Sequence, residues 1–332
     1  MRTTMFFTMI LFSLLAASCR DVAGPVEGNT PQGPFVVWFN GLSGNADAYF
    51  IASDSLITNA WSTGEAPNQI VELDNGQFAV LSSLSADLRV FSCNTTGVTE
   101  KTIQFPSGSN PYSFCVTGDI GYSALSLADS VAVFSIQSAE VTAMIHTRSN
   151  PSGVSYSCGM LFVGHANYPD ASSPGGVSVI NPVSGELIKW IDTGVNTHWL
   201  KLQSSGMIHC YSTTYADDGR VTVINPETLE ITAVVPCGGA PGEAISLNSS
   251  YCLSPDGWGS GGLVRYTETG EFTKIDLPFA ATNLALLENT VYATSFGTAK
   301  VYMLDAETFS IVDSLQAGGE GPQGIIAVDP GD

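Results

Sequence analysis

Apolar and polar residues alternate along this chain in short runs that give way to Asn or Asp turns, a period-two pattern that specifies strands with one buried face. Val177-Ser178-Val179-Ile180-Asn181-Pro182, Val221-Thr222-Val223-Ile224-Asn225-Pro226 and Val301-Tyr302-Met303-Leu304-Asp305-Ala306 show it most plainly. A second strand such as Ile231 to Val235 follows, and a weaker copy runs from Leu263 to Glu271. No apolar period near 3.6 residues is sustained, which excludes a coiled coil or an α/β domain.

Aligned against itself, the chain shows a second signature seven times: a turn that opens into an alternating strand at Pro67, Pro111, Pro151, Thr197, Pro241, Thr282 and Pro322, with steps of 44, 40, 46, 44, 41 and 40 residues. Five of the seven positions are proline, which suits a strand whose first N–H has no partner. Four short strands in each unit of 40 to 46 residues is the spacing of a β-propeller blade. The expected fold is therefore all-β, a seven-bladed propeller over residues 34–332. The last unit stops after Pro322 to Val328, whereas Phe35 to Phe39, Ala46 to Ala52 and Leu56 to Trp61 precede the first full unit. Joining these gives a last blade closed by strands from both ends, which removes the exposed edges that template aggregation.

The unit V-x-V-I-N/D-x-x-T followed by V-x-x-G-x-x-P-x-G-I-A resembles the YVTN/YncE-like β-propeller repeat, and the likeness spans residues 35 to 330. In layout the chain is similar to the BtuG-type surface propellers. That resemblance implies capture of a cobalamin-like or other small ligand, with an outer-membrane transporter as a partner. Fold alone does not carry function, since propellers host many unrelated activities.

Residues 1–18 read as an export signal, with Arg2 ahead of the apolar run Met5 to Leu15, too short to span a bilayer. Leu15-Ala16-Ala17-Ser18-Cys19 resembles a lipobox, which implies a lipid on Cys19 and a place in the bacterial cell envelope; cleavage near Ala17 of an ordinary secreted protein is the alternative. Residues 19–33, rich in Pro, Gly and polar groups, read as a flexible tether. Six further cysteines allow 15 pairings, and both disulfides and buried free thiols remain open.

Composition narrows the partners. Thirty-one acidic against 11 basic residues leave a net charge of −20, so the basic stripe that a nucleic-acid binder needs is missing. Charged residues are only 13% of the chain against 44% hydrophobic ones, which excludes wholesale disorder.

Candidate chemistry concentrates on the face where loops enter the inner strands and join second to third strands, because its loops are long and unequal: 41–47, 165–176, 213–219 and 254–262. Trp61, Tyr168, Trp199, Tyr215, Trp258 and Phe296 are expected there, with Asn68, Asp170, Asp217, Asp218 and Gln323 beside them. Such platforms suit a planar or amphipathic ligand; the same aromatics also serve as packing between blades. His165 and His198 end adjacent blades, yet no third ligand at a recognisable spacing accompanies them, so neither a metal nor a cofactor is assigned. Asp217-Asp218-Gly219 lacks the spacing of a calcium loop. His146 and His209 fall inside strand patterns and are assigned no chemistry. No GxSxG elbow, HExxH pair or P-loop occurs. The expected function is a membrane-anchored ligand-binding lipoprotein. The alternatives are a periplasmic propeller enzyme of the lyase or lactonase type, with His165 or His198 as general base, and a protein-interaction platform.

Overall fold

A computed structural model describes residues 33–73, 76–166, 175–194, 196–214, 216–257 and 261–329, with the short strands Val22–Ala23 and Gly28–Asn29. The signal peptide, Cys19, Tyr168, Asp170, Tyr215 and Trp258 lie outside the described residues.

Each repeat folds into one four-stranded antiparallel meander, and seven such sheets close a ring with no helix among the described residues. Blades 1 to 6 start with the inner strands Pro67–Leu73, Pro111–Thr117, Pro151–Ser157, Thr197–Leu202, Ile245–Ser246 and Asn283–Leu287. Blade 7 takes its inner strand from Pro322–Val328 and its outer three from Phe35–Asn40, Asn45–Phe50 and Ser55–Ser62, with Phe35 opposite Val328 and Asn40 opposite Pro322. Both ends of the described ring thus meet in one sheet, as the phase of the repeats requires.

The core is divided among the seams. Seven clusters of buried side chains each bridge two neighbouring blades. At the seam of blades 7 and 1, Trp61 meets Phe78 edge-on at 5.0 Å and Phe78 stacks on Phe91 at 5.2 Å, offset and edge-to-face arrangements that add to plain area burial. Hydroxyls stitch the inner rim, where Ser113 donates to the Ser152 carbonyl at 2.5 Å and Ser152 to the Thr197 carbonyl at 2.6 Å.

Two short segments ahead of the ring pair with it: Val22–Ala23 runs parallel to Leu56–Ile57, and Gly28–Asn29 pairs with Thr95–Thr96. Ser55–Ser62 is the outermost of the four strands of blade 7, and Val22–Ala23 covers part of that sheet edge. The six cysteines Cys93, Cys115, Cys158, Cys210, Cys237 and Cys252 are free thiols, four of them buried, so the open question of disulfides resolves toward packing.

Candidate functional site at the channel mouth

Every inner strand begins at the same end of the central channel, and the local backbone there follows from sequence. Ala66, Asn110, Asn150, Asn196 and Gly321, each one residue ahead of its strand, have φ of 52°, 50°, 53°, 46° and 68°. Three of the five are asparagine, which enters the left-handed region more readily than most side chains. A β-bulge follows at once. The ladder jumps from Pro67 to Gln69, from Pro111 to Ser113 and from Thr197 to Trp199, leaving Asn68, Tyr112 and His198 out of register. Bulges re-aim side chains beside functional sites. Here they aim Asn68, Tyr112 and His198 into a cavity of about 170 Å³ that Trp199, Asn283 and Gln323 also line.

One wall is aromatic. Tyr112 of blade 2 and Trp199 of blade 4 lie 4.9 Å apart, centroid to centroid, at 31°, although blade 3 stands between them. Gly153 permits this approach, because a Cβ there would lie 2.7 Å from the Leu200 backbone nitrogen. The opposite wall carries carboxamides. Asn68 donates from Nδ2 to Ser83 Oγ, and Ser83 donates to the Pro111 carbonyl at 2.7 Å.

Below the rim, Gln69 crosses the channel. Its Nε2 donates to Glu243 Oε1 of blade 5 at 2.9 Å, while its Oε1 accepts the Phe114 N–H at 2.7 Å. Burial raises the Glu243 carboxyl above its ordinary value, against the opposing effects of the Lys201 charge and the Gln69 hydrogen bond. A protonated Glu243 would offer the channel a donor as well as an acceptor. Burial pushes His198 below the usual histidine range, partly offset by a hydrogen bond with the Thr213 backbone, so its imidazole is neutral at neutral pH.

The remaining expected residues divide. Asn68, His198, Trp199 and Gln323 meet at the mouth, and Phe296 sits half-buried over Gly321, where a Cβ would lie 2.6 Å from its ring. Trp61 does not reach this face; at 1% exposure it packs between blades, against Phe78 and Phe91. His165 is also internal at 1% exposure, with Nδ1 bonded to the Ser149 carbonyl at 3.0 Å and Nε2 to Ser178 Oγ at 2.9 Å. Both nitrogens are committed, so it is no general base for a ligand on this face. Asp217 and Asp218 fasten loops: Asp217 ties its loop to the segment entering blade 5 by accepting the Gly239 N–H at 2.7 Å, and Asp218 closes its own loop by accepting the Thr214 N–H at 2.8 Å. Burial disfavours an ionised Asp218, but the hydrogen bonds from Thr214 and Thr213 outweigh it and lower the carboxyl below its ordinary value.

Tyr112, Glu243, Gln69 and Asn283 escaped the sequence reading. The signal that would have found three of them is position: Tyr112 and Asn283 directly follow the repeat's Pro or Thr, and Gln69 stands one place further in.

No protein-family model matches the chain, and no curated protein does either. Among solved structures, hydrazine synthase of Kuenenia stuttgartiensis is similar at TM-score 0.67 and 13% identity, covering 80% of this chain and 90% of that one. A streptogramin B lyase is similar at TM-score 0.66 and 14% identity, over 89% and 91% of the two chains. Apo AztD of Citrobacter koseri is similar at TM-score 0.59 and 11% identity, over 91% and 98%. At these identities the likeness establishes the β-propeller fold this chain shares with all three.

Proposed function

We propose that this chain is a ligand-capturing propeller of the bacterial cell envelope, tethered by lipid on Cys19, that holds a small ligand over its channel mouth. The observation that carries the reading is the Tyr112–Trp199 pair set beside bulge-displayed Asn68 and His198, with Asn283 and Gln323 completing the lining. Aromatic area with a few convergent polar groups is the usual make-up of a small-molecule site. Such a ligand has an apolar or planar face for the aromatic wall and amide or hydroxyl groups for the carboxamides. A corrinoid of the cobalamin class, suggested by the repeat's resemblance, fits that description when seated across the mouth rather than within it, and an outer-membrane transporter would then receive it. The enzyme alternative has less to stand on, since only His198 of its two candidate bases faces the mouth.

Cyanocobalamin titrated against intrinsic tryptophan fluorescence tests this directly. Trp199→Ala and Tyr112→Ala should each weaken binding by about 1 to 3 kcal/mol. Binding that survives unchanged in both variants overturns the site, and no binding to the unaltered protein overturns the ligand class. Anchoring is tested separately: Cys19→Ser should move the protein from the membrane to the soluble fraction, and unchanged partition overturns the tether.

A further inference from the structure

On the face opposite the mouth, the seam between blades 4 and 5 gathers three side chains from distant parts of the sequence. His209 comes from the second strand of blade 4, Cys252 from the second strand of blade 5, and Glu268 from that blade's outer hairpin turn. One ligand-type atom of each lies within 4.8 Å of the others. His209 Nε2 stands 3.0 Å from Glu268 Oε1.

The imidazole is oriented from behind. His209 Nδ1 is 2.7 Å from Tyr266 Oη, which is 3.3 Å from Tyr211 Oη; Tyr211 in turn accepts the Ala244 N–H at 3.0 Å and the Gln203 amide at 3.1 Å. With those two donors on Tyr211, the chain of hydroxyls points toward Nδ1 and keeps the imidazole proton on Nε2, which donates to Glu268 Oε1. His209 is fully buried, while Glu268 is partly exposed. A cleft of about 470 Å³, bounded by Ser204, Ser205, Ser246, Asn248 and Tyr251, opens onto Cys252 and Glu268.

We propose that His209 Nε2, Cys252 Sγ and the Glu268 carboxylate bind one divalent cation of the zinc class, with its remaining position facing the cleft. The donor set decides the class: calcium and magnesium take oxygen ligands, whereas imidazole with thiolate suits zinc. Three protein ligands and one open position are the arrangement of reactive rather than purely structural zinc sites. Bonds of about 2.0 to 2.3 Å require the three atoms to draw together slightly, and the exposed Glu268 turn has room to do so. Binding releases the Cys252 thiol proton and shifts the imidazole proton from Nε2 to Nδ1, which then donates to Tyr266 Oη, while the Tyr266 hydroxyl turns its own hydrogen from Nδ1 toward the Cys252 sulfur beside it. That gives the ligating histidine the outer hydrogen bond such histidines nearly always make. A metal deprotonates a coordinating thiol outright.

Cobalt(II), added to the full chain, is the probe. Expected is a thiolate-to-cobalt absorption band that saturates at one equivalent and is erased by zinc. Cys252→Ala should abolish the band, and Cys158→Ser, at an exposed thiol on another blade, should leave it intact. Glu268→Gln should weaken zinc binding at least tenfold, and Tyr266→Phe should weaken it roughly 10-fold while preserving the band, as loss of an outer hydrogen bond does. Should Cys252→Ala fail to fold, the unaltered protein and the partly exposed Glu268→Gln still decide. The proposal is overturned by the absence of the band, by its persistence in Cys252→Ala, or by unchanged zinc affinity in Glu268→Gln.

Discussion

Blade 7 and blade 5 are the same unit of the same ring and are built in opposite ways. In blade 7 all six residues of Phe35–Asn40 are buried and its strands run six to eight residues. In blade 5 the inner strand is two residues long and the other three are four residues each. The chain reaches that short strand through Gly238 and Gly239, both at positive φ, and a single bridge between Pro241 and Asp256. A Cβ at Gly239 would lie 2.3 Å from the Asp256 carboxylate, which accepts the Ala240 N–H at 2.7 Å. Blade 5 supplies Glu243 to the mouth and Cys252 with Glu268 to the opposite seam. Regular pairing concentrates stability in one blade, and its absence frees side chains for chemistry in the other.

The largest test of this contrast is to delete everything after Gly318. Blade 7 then loses its inner strand and Phe35–Asn40 becomes an edge; the expected result is loss of the cooperative melting transition with association seen by size-exclusion chromatography. A truncated protein that stays monomeric and melts as before would remove the basis for the comparison.

Next in size are paired aromatic truncations. Phe39→Ala in blade 7 should cost about 3 to 5 kcal/mol in chemical denaturation, the range for an emptied core phenylalanine. Phe272→Ala in blade 5, where the side chain is 41% exposed, should stay within about 0.5 kcal/mol. Equal costs would place the two blades on the same footing.

Glu243→Gln sharpens the difference through pH. A carboxyl whose pKa is raised in the fold favours folding when protonated. Its contribution is complete below the ordinary value of 4.5 and is lost as pH rises through the raised value. Melting temperature should therefore fall over that window in the unaltered protein, and the fall should shrink in Glu243→Gln, leaving the variant the more stable of the two at neutral pH. Parallel pH profiles would show that Glu243 ionises at no cost. The smallest effect is expected from Glu227→Ala on an exposed turn of blade 4, where the backbone N–H rather than the side chain makes the hydrogen bond to Asn225; both stability and ligand affinity should hold.

Blade number, phase and ring closure were legible because each repeat buries the same alternating positions, so periodicity reports the fold directly. Trp61 shows where that reading stops. Alternation marks it as one face of a strand end, and only packing reveals that the face meets Phe78 and Phe91 instead of a ligand. The display of Tyr112 depends on a bulge, a property of pairing register that no single strand announces. His209, Cys252 and Glu268 belong to separate strands and turns, and they become neighbours only when two blades pack. Glu243 stayed hidden for the same reason, since its partner Gln69 lies four blades away in sequence and meets it only across the channel.

The pairing of Phe35 with Val328 also sets an order of events in time. At roughly 5 to 20 residues per second, synthesis of the intervening stretch of about 290 residues takes on the order of 15 to 60 s. Phe35–Asn40 is made among the first strands of the ring and must wait through that interval for Pro322–Val328. Six blades can form meanwhile from contacts close in sequence, but the mouth stays an open horseshoe until the last strand arrives. Any ligand that depends on both Asn68 and Gln323 can be held only by a finished molecule, so premature capture by a nascent chain is excluded by topology alone.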